Sequence, residues 1–400
     1  MTKKNETMYS YYESRDILPT YAQLNDPVKL QKYTDHRATF LSDILSLPLA
    51  VFKDADMIEF GPDSGENALV FAGWGANMTL IEPNPKPWPL INGYFETFGR
   101  KSKLKSIEKV SIEECKSDLK FKFAIAEGFI YTVKPHTLWI NKFAELLENE
   151  GIAIISYYEI AGGAIELLTK AIHRRGMSLL GGTPLEVAER LYSAKWTSVP
   201  HTRAFESWVM DVMENPFVRL KYFISAEQIC KEFLERDMTL YSSWPNYKDA
   251  LEMRWHKKEV THKYNHQRNV EFISRSTLSF LFGRKAFISS QSMELVTKAS
   301  EAVTKLVTGI DGLIDDFNKS TSETCIKCLD EIAEIVSGEN VLYDSVEDKA
   351  EVIGLVESMR HVFQIMMNSD AAALEQFCQS DSHFIKNWGL PNHYAVFKKN

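Results

Sequence analysis

The stretch Ile58-Glu59-Phe60-Gly61-Pro62-Asp63-Ser64-Gly65-Glu66-Asn67-Ala68 decides the fold. Met57-Ile58-Glu59-Phe60 has the length and apolar character of a buried strand. Two glycines then turn the chain tightly, and a helical pattern opens at Glu66. Glycine lets a backbone adopt positive φ and come close to a ligand. Ligands of open α/β sheets bind beyond the carboxyl ends of the strands, at such a strand-to-helix switch. Residues 78–81 read as a second strand that ends at Glu82, roughly 20 residues on, where a carboxylate can accept both hydroxyls of a ribose.

Outward from this point, strand and helix patterns alternate. Helices are expected over residues 66–74, 89–98 and 138–148, and strands over 108–112, 121–126 and 152–157. A helix over 25–47 precedes them, with Leu30, Tyr33, Phe40, Leu41, Ile44 and Leu45 on one face. Alternation at this spacing predicts an α/β fold, a parallel sheet with helices on both faces. After Glu159 the pattern changes. Thr183-Pro184-Leu185-Glu186 supplies an N-cap, a proline at the first helical position and an early acid for a helix running towards Tyr192. A helix over 204–213 and a capping-box start at Ser225 follow, so 162–220 reads as a helical insertion. Residues 238–242 and 277–282 return to strand character.

From Met293 strands nearly vanish. Leu295, Ala299, Ala302, Leu306, Ile310, Leu313 and Phe317 form one helical stripe, and two more follow, from Ile326 and from Ile353. The expected organisation is an N-terminal helical and aromatic segment (1–50), a nucleotide-binding core (51–160), a helical lid (161–222), a completion of the sheet (223–290) and an acidic helical C-terminal region (291–400).

The loop chemistry selects the ligand. A dinucleotide fingerprint requires Gly-x-Gly-x-x-Gly. Gly61 fits, but Asp63 and Glu66 hold the other two positions, where acids would repel a pyrophosphate. A cationic ligand without phosphate suits the loop better. Glu59-x-Gly61-x-x-x-Gly65 resembles the first motif of class I S-adenosylmethionine-dependent methyltransferases, usually Asp/Glu-x-Gly-x-Gly-x-Gly, with Asp63 at the middle glycine. Asp tolerates the left-handed conformation better than most residues.

The resemblance implies a Rossmann-like methyltransferase sheet and S-adenosylmethionine as cofactor. It places Glu59, Gly61, Asp63, Gly65 and Asn67 at the methionine end and Glu82 with Pro83 at the ribose. Ser111-Ile112 falls at the adenine, and Ile125-Ala126-Glu127-Gly128 looks like the fourth-strand motif flanking the methyl donor. It covers residues 54–156 closely and 223–285 more loosely.

Glu127, His136 and Glu159 are the candidate catalytic residues, since each lies just beyond a strand at the appropriate edge. The insertion carries candidate acceptor contacts: Arg174, Arg175 and Arg203 for an anionic group, Trp196 and Trp208 for a ring, with His201, and Tyr158 from the strand end. Packing of the lid is the competing reading for each tryptophan. Tyr9, Tyr11, Tyr12 and Tyr21 are placed to close over the cofactor or to pack on a neighbour. The basic stretch from Arg254 to Arg268 reads first as a solvated face; its His262 and His266 have i, i+4 spacing without a strong third ligand, so no metal is expected. Cys325-Ile326-Lys327-Cys328, with no second pair, reads as small buried residues in a helix.

Composition narrows the function classes. With 44% hydrophobic and 25% charged residues the chain is an ordinary globular protein. It has no apolar run of transmembrane length and no signal-like start, so a cytoplasmic location is expected. Residues 291–400 carry 18 acids against 9 bases, which leaves a nearly neutral body and argues against nucleic acid as a partner. The Asn/Asp-Pro-Pro-aromatic motif of DNA amino methylation is absent, because Glu127-Gly128-Phe129-Ile130 stands there. The expected function is methyl transfer from S-adenosylmethionine to an oxygen or nitrogen of a small metabolite or glycan, with a possible homodimer through the apolar C-terminal stripes. The alternatives are a dinucleotide-dependent oxidoreductase and a non-catalytic helical scaffold with a degenerate methyltransferase domain.

Overall fold

A computed structural model describes residues 8–15, 24, 26–200, 204–248, 261–289 and 292–400. Tyr21, His201, Arg203 and residues 254–260 of the basic stretch lie outside the described residues, as does the side chain of Tyr9. The chain divides into two compact units. One comprises Met1–Tyr157, Gln228–Asn269 and His393–Asn400, the other Tyr158–Glu227 and Val270–Asn392.

The first unit begins with helices α1 (Met8–Arg15) and α2 (Pro27–Thr39). Asp26 caps α2 by accepting the Lys29 N–H at 2.8 Å, and Pro27 supplies the preset φ of the first turn. The helix foreseen to residue 47 ends early, passing at Phe40 into one π-helical turn, Phe40–Ile44. Then come β1 (Asp56–Phe60), α3 (Glu66–Gly73), β2 (Asn77–Ile81), α4 (Trp88–Thr97), β3 (Leu104–Glu108), β4 (Phe121–Ala126), α5 (His136–Leu146) and β5 (Leu147–Tyr158). β1 pairs in parallel with both β2 and β4, β2 with β3, and β4 with β5. The third strand lies four residues earlier than its sequence suggested. It is a half-exposed edge strand without clean alternation, while Ile112 is buried in the turn that follows. Phe52, Met57, Phe71, Phe95, Phe123 and Ile125 fill the core that packs on this sheet.

The second unit opens with α6 (Ala164–Leu180), α7 (Pro184–Thr197) and α8 (Phe205–Trp208). α7 starts on the foreseen N-cap and early acid, which together close a capping box: Thr183 Oγ1 accepts the Glu186 N–H, and the Glu186 carboxylate accepts the Thr183 N–H at 2.8 Å. After α9 (Ala226–Leu234), β6 (Met238–Trp244) returns to the sheet, and α10 (His262–Arg275) follows. Residues 277–282 are a helix, α11 (Thr277–Phe282), and not the expected strand. A short apolar run cannot be told from a buried helix by periodicity. Here Leu278, Leu281 and Phe282 are buried at helical spacing, and Gly283, at φ +62°, ends the turn.

Next come β7 (Phe287–Ile288), α12 (Met293–Asp315), α13 (Lys319–Ser337), β8 (Val341–Leu342), α14 (Val346–Asn368), α15 (Ala371–Ser380) and α16 (Ser382–Lys386). The apolar stripes of α12, α13 and α14 are buried inside the unit, Cys325 and Cys328 among them, which removes the reason for expecting a homodimer through them.

The last element is a strand that the sequence reading of the helical C-terminal region did not identify. Residues Asn392–Lys399 form β9, which lies between β5 and β6 and completes the order β3-β2-β1-β4-β5-β9-β6. β9 runs antiparallel to β6, with Tyr394 opposite Trp244.

In the helical unit Arg219 forms the main polar tie. Its guanidinium reaches Asp311 at 2.7 Å and Asp315 at 2.6 Å, and Asp311 also accepts the Leu220 N–H. Replacing Arg219 by Leu leaves the mostly buried Asp311 without its cation. We expect a loss of about 2 kcal/mol, read as a lower melting temperature of the full chain.

Candidate active site

The loop between β1 and α3 has the shape its glycines predict. Gly61, Asp63 and Gly65 all have positive φ, at +59°, +49° and +86°. A Cβ on Gly61 would lie 2.5 Å from the Phe129 ring, and one on Gly65 would lie 2.8 Å from Ile91. Both glycines are therefore fixed by space as well as by conformation. Asp63 occupies the left-handed region that only a few side chains tolerate. Gly61 N–H donates to the Ile81 carbonyl at 2.9 Å, which holds the loop against the end of β2.

Two carboxylates stand at the strand ends. Glu59, 3% exposed at the end of β1, has an Oε2 atom that is buried without a hydrogen-bond partner. Burial first, then the Glu127 charge, raises its pKa to about 8, against the lowering effect of Arg37. Glu82 follows β2. Its Oε1 accepts the Asn84 N–H at 2.8 Å, and it also accepts the Asp63 N–H. Burial raises its pKa to about 8 in spite of those bonds. Pro83 is half-buried in the same turn, and the Trp88 indole donates to the Glu82 carbonyl at 3.3 Å. The Glu82 N–H bonds the Glu108 carbonyl, and the turn after β3 carries Ser111, whose N–H and Oγ lie 3.3 and 3.4 Å from Glu114, and the buried Ile112.

Across β1, the end of β4 presents Glu127 and Gly128. Glu127 makes a two-pronged pair with Arg37 of α2, at 2.8 and 3.0 Å, and each side chain is 11% exposed. The Gly128 N–H donates to Ser156 Oγ at 2.7 Å, and Ser156 shares a hydrogen bond with the Tyr394 hydroxyl. One turn before Arg37, the Tyr33 hydroxyl donates to Asn67 Oδ1 at 2.8 Å. Thus α2 is fastened to both sides of the strand ends that carry Glu59. The first-loop, β2-end and β4-end residues expected from the sequence gather at one sheet edge. Arg37, Tyr33 and Tyr394 were missed, the first two because one charged and one aromatic residue on a helix read as surface and core, the third because β9 was not recognised.

The other candidates stand differently. His136 is the first residue of α5, buried beside Trp139, with Nε2–H donating to the Tyr131 carbonyl at 3.0 Å. Glu159 belongs to the helical unit. It accepts backbone N–H groups from Gly162, Ala161, Ala226 and Ile160, while burial raises its pKa to about 7. In that same unit Tyr158 packs edge-on against Phe223. Arg174 pairs with Glu214 at 3.2 Å, and Arg175 stacks over Phe317 and donates to the Met366 carbonyl and Ser369. Trp196, Phe205, Trp208 and Trp388 form an aromatic cluster with centroids 5.3 to 6.5 Å apart; Trp208 is buried, whereas Trp196 is half-buried.

The methyltransferase domain family matches residues 33–243, more than half of the chain, and the chain belongs to it. It is a methyltransferase whose methyl donor is S-adenosylmethionine. The matched span takes in Arg37, the glycine loop, Glu82 and Glu127.

No curated protein matches the chain. Solved structures with a likeness include the N-methyltransferase NodS of Bradyrhizobium japonicum in complex with S-adenosylhomocysteine, at 14% identity and a TM-score of 0.28 over 38% of this chain and 74% of that one. PKMT2 of Rickettsia typhi, in complex with AdoHcy, gives 14% identity and a TM-score of 0.37 over 55% of this chain; the alignment spans 46% of that chain. The 1,6-didemethyltoxoflavin-N1-methyltransferase of Burkholderia thailandensis gives 17% and 0.27 over 38% of this chain and 58% of that one. Family membership rests on the domain match and not on these likenesses. No helix among the described residues is long and apolar enough to cross a membrane.

Proposed function

We propose that this methyltransferase modifies an oxygen or nitrogen of a small metabolite or glycan, with the donor held at the ends of β1, β2 and β4. The observation that carries the donor site is Glu59 Oε2, a buried carboxylate oxygen without a partner beside a glycine that admits no side chain. A buried polar atom left unbonded is costly, and a cationic ligand relieves that cost. S-adenosylmethionine supplies, when bound, a methyl group activated by a positively charged sulfur.

Glu59 would take the donor's ammonium group, and the backbone from Gly61 through Asp63 to Gly65, with Asn67, would line the methionine end. Glu82, oriented by two N–H groups and flanked by Pro83, would accept the ribose hydroxyls. Ser111 and Ile112 would border the adenine, and Gly128 would border the reacting end. Glu127, bound on both oxygens by Arg37, serves better as a fixed wall than as a base. His136, at the start of α5, is the candidate base in the sheet unit. Methyl transfer gains most of its acceleration from positioning, and a base is needed only where the acceptor carries a proton to be lost.

Glu159 reads better as the anchor of the loop before α6, because four amides converge on it. Its replacement by Ala should lower stability by about 3 kcal/mol and leave donor affinity within about twofold of the parent. A large loss of affinity with unchanged stability would restore it as a site residue.

The acceptor class is supported by Glu127-Gly128-Phe129-Ile130 in place of the DNA amino-methylation motif and by the acidic balance of the chain. Arg174 pairs with Glu214, and Arg175 with Met366 and Ser369, so neither is offered as the anchor of an anionic acceptor group. The test offers isotopically labelled S-adenosylmethionine with panels of amines, hydroxylated metabolites, oligosaccharides, peptides and nucleic acids. Label in a metabolite or sugar is the expected result; label confined to peptide or nucleic acid would overturn the acceptor class.

A further inference from the structure

We propose that Arg37 is a positioning residue of the donor site, which neutralises and pins Glu127 and so leaves Glu59, with its unbonded carboxylate oxygen, to receive the donor's positive charge. This rests on the donor-site reading given above. Three acids, Glu59 on β1, Glu66 on α3 and Glu127 at the end of β4, interact electrostatically at this sheet edge, and Arg37 of α2 is the cation among the groups that face Glu59. The fourth titratable group facing it is the Tyr33 hydroxyl, also from α2.

The geometry is selective. Arg37 directs two nitrogens to the two oxygens of Glu127, at 2.8 and 3.0 Å, in the fork arrangement that only a guanidinium supplies. Glu59 has no such bond, and its Oε2 is left open. The two carboxylates are thereby given different tasks. Glu127 is tied down as part of an ion pair, and Glu59 keeps a vacant acceptor that feels Arg37 only through space. The Arg37 charge favours ionised Glu59, and the Glu127 charge opposes it. Arg37 opposes the Glu127 effect, so it helps set how readily Glu59 ionises to meet an ammonium group.

Titration calorimetry with S-adenosylhomocysteine between pH 6 and pH 9 tests this without any turnover. Below the pKa of Glu59, binding of the ligand's ammonium competes with a proton, so affinity rises with pH. The ligand's own amine shapes the alkaline limb alike for every variant. For Arg37→Gln we expect affinity at pH 6 at least about tenfold below the parent, with the gap narrowing towards pH 9, since loss of a neighbouring opposite charge shifts a carboxyl by one unit or more. Arg37→Lys, which keeps the charge but loses the fork, should bind at pH 6 between the parent and Arg37→Gln; binding as weak as that of Arg37→Gln would overturn the charge effect. Glu127→Gln removes the opposing charge and should bind more tightly at pH 6, with the difference again shrinking by pH 9. Uniform weakening of Arg37→Gln at every pH, or none at any pH, would overturn the proposal. Should Arg37→Gln fail to fold, an unchanged pH profile in Glu127→Gln would overturn it equally. Absence of binding by the parent protein at any pH would overturn the donor-site reading itself.

Discussion

Glu59→Gln is expected to cost roughly 30- to 1000-fold in affinity for S-adenosylmethionine, while making the ligand-free protein more stable at alkaline pH. The affinity loss follows from removing a buried charge that pairs with a cation, worth roughly 2–4 kcal/mol. The stability gain follows from the sign of the linkage. Burial holds the folded-state pKa of Glu59 at about 8, well above its ordinary value near 4.5. Its contribution to stability is complete below pH 4.5 and is lost as pH rises through about 8, because the folded state then carries an unpaired buried charge. Gln resembles the protonated acid at every pH. The variant and the parent should therefore melt together at pH 5, and the variant should melt about 5 °C or more above the parent at pH 8.5. Thermal scans at the two pH values, paired with calorimetry, check both halves. Equal melting temperatures at pH 8.5 would mean that Glu59 has a partner in the folded protein.

Gly61→Val is expected to abolish donor binding and to destabilise the chain. A β-branched residue at φ +59° costs about 1–3 kcal/mol in backbone strain. The added Cβ would also sit 2.5 Å from the ring of the buried Phe129, and overpacking adds about 1–3 kcal/mol more. Gly128→Ala is the internal control. Its φ is +84°, yet no atom lies within 4 Å of an added Cβ, so only the conformational cost of about 1–2 kcal/mol applies. Stability and affinity should therefore separate the two glycines. Gly61 loses both by a wide margin, and Gly128 loses stability modestly. Similar losses at both positions would show that conformation alone, and not the approach of Phe129, fixes the loop.

Much of the sheet edge was legible because its signals are local. Glu59, Gly61, Gly65 and Glu82 sit at spacings set by one strand, one turn and one crossover helix, and Asp63 takes the left-handed conformation foreseen for it. The parts that were not legible depend on distant segments. Arg37 is one charged residue on a helix, and nothing near it in the chain announces a partner 90 residues away. β9 follows more than 90 residues of mostly helical chain, and its core, Tyr394-Ala395-Val396-Phe397, is too short for its period to separate strand from helix. Residues 277–282 erred in the opposite direction for the same reason, becoming a helix through the burial of Leu278, Leu281 and Phe282. Glu159 had the right strand end, but the sequence could not reveal that the amides of residues 160–162 and 226 would converge on it.

The central claim is that the edge formed by β1, β2 and β4 binds S-adenosylmethionine through Glu59 and Glu82. Calorimetry of the full chain at pH 8 with S-adenosylmethionine, repeated on Glu59→Gln and Glu82→Ala, tests it most directly. The account predicts one site per chain, competed by S-adenosylhomocysteine, with affinity sharply reduced in both variants. Folded protein that gives no heat with either compound, or binding left unchanged in both variants, would contradict it.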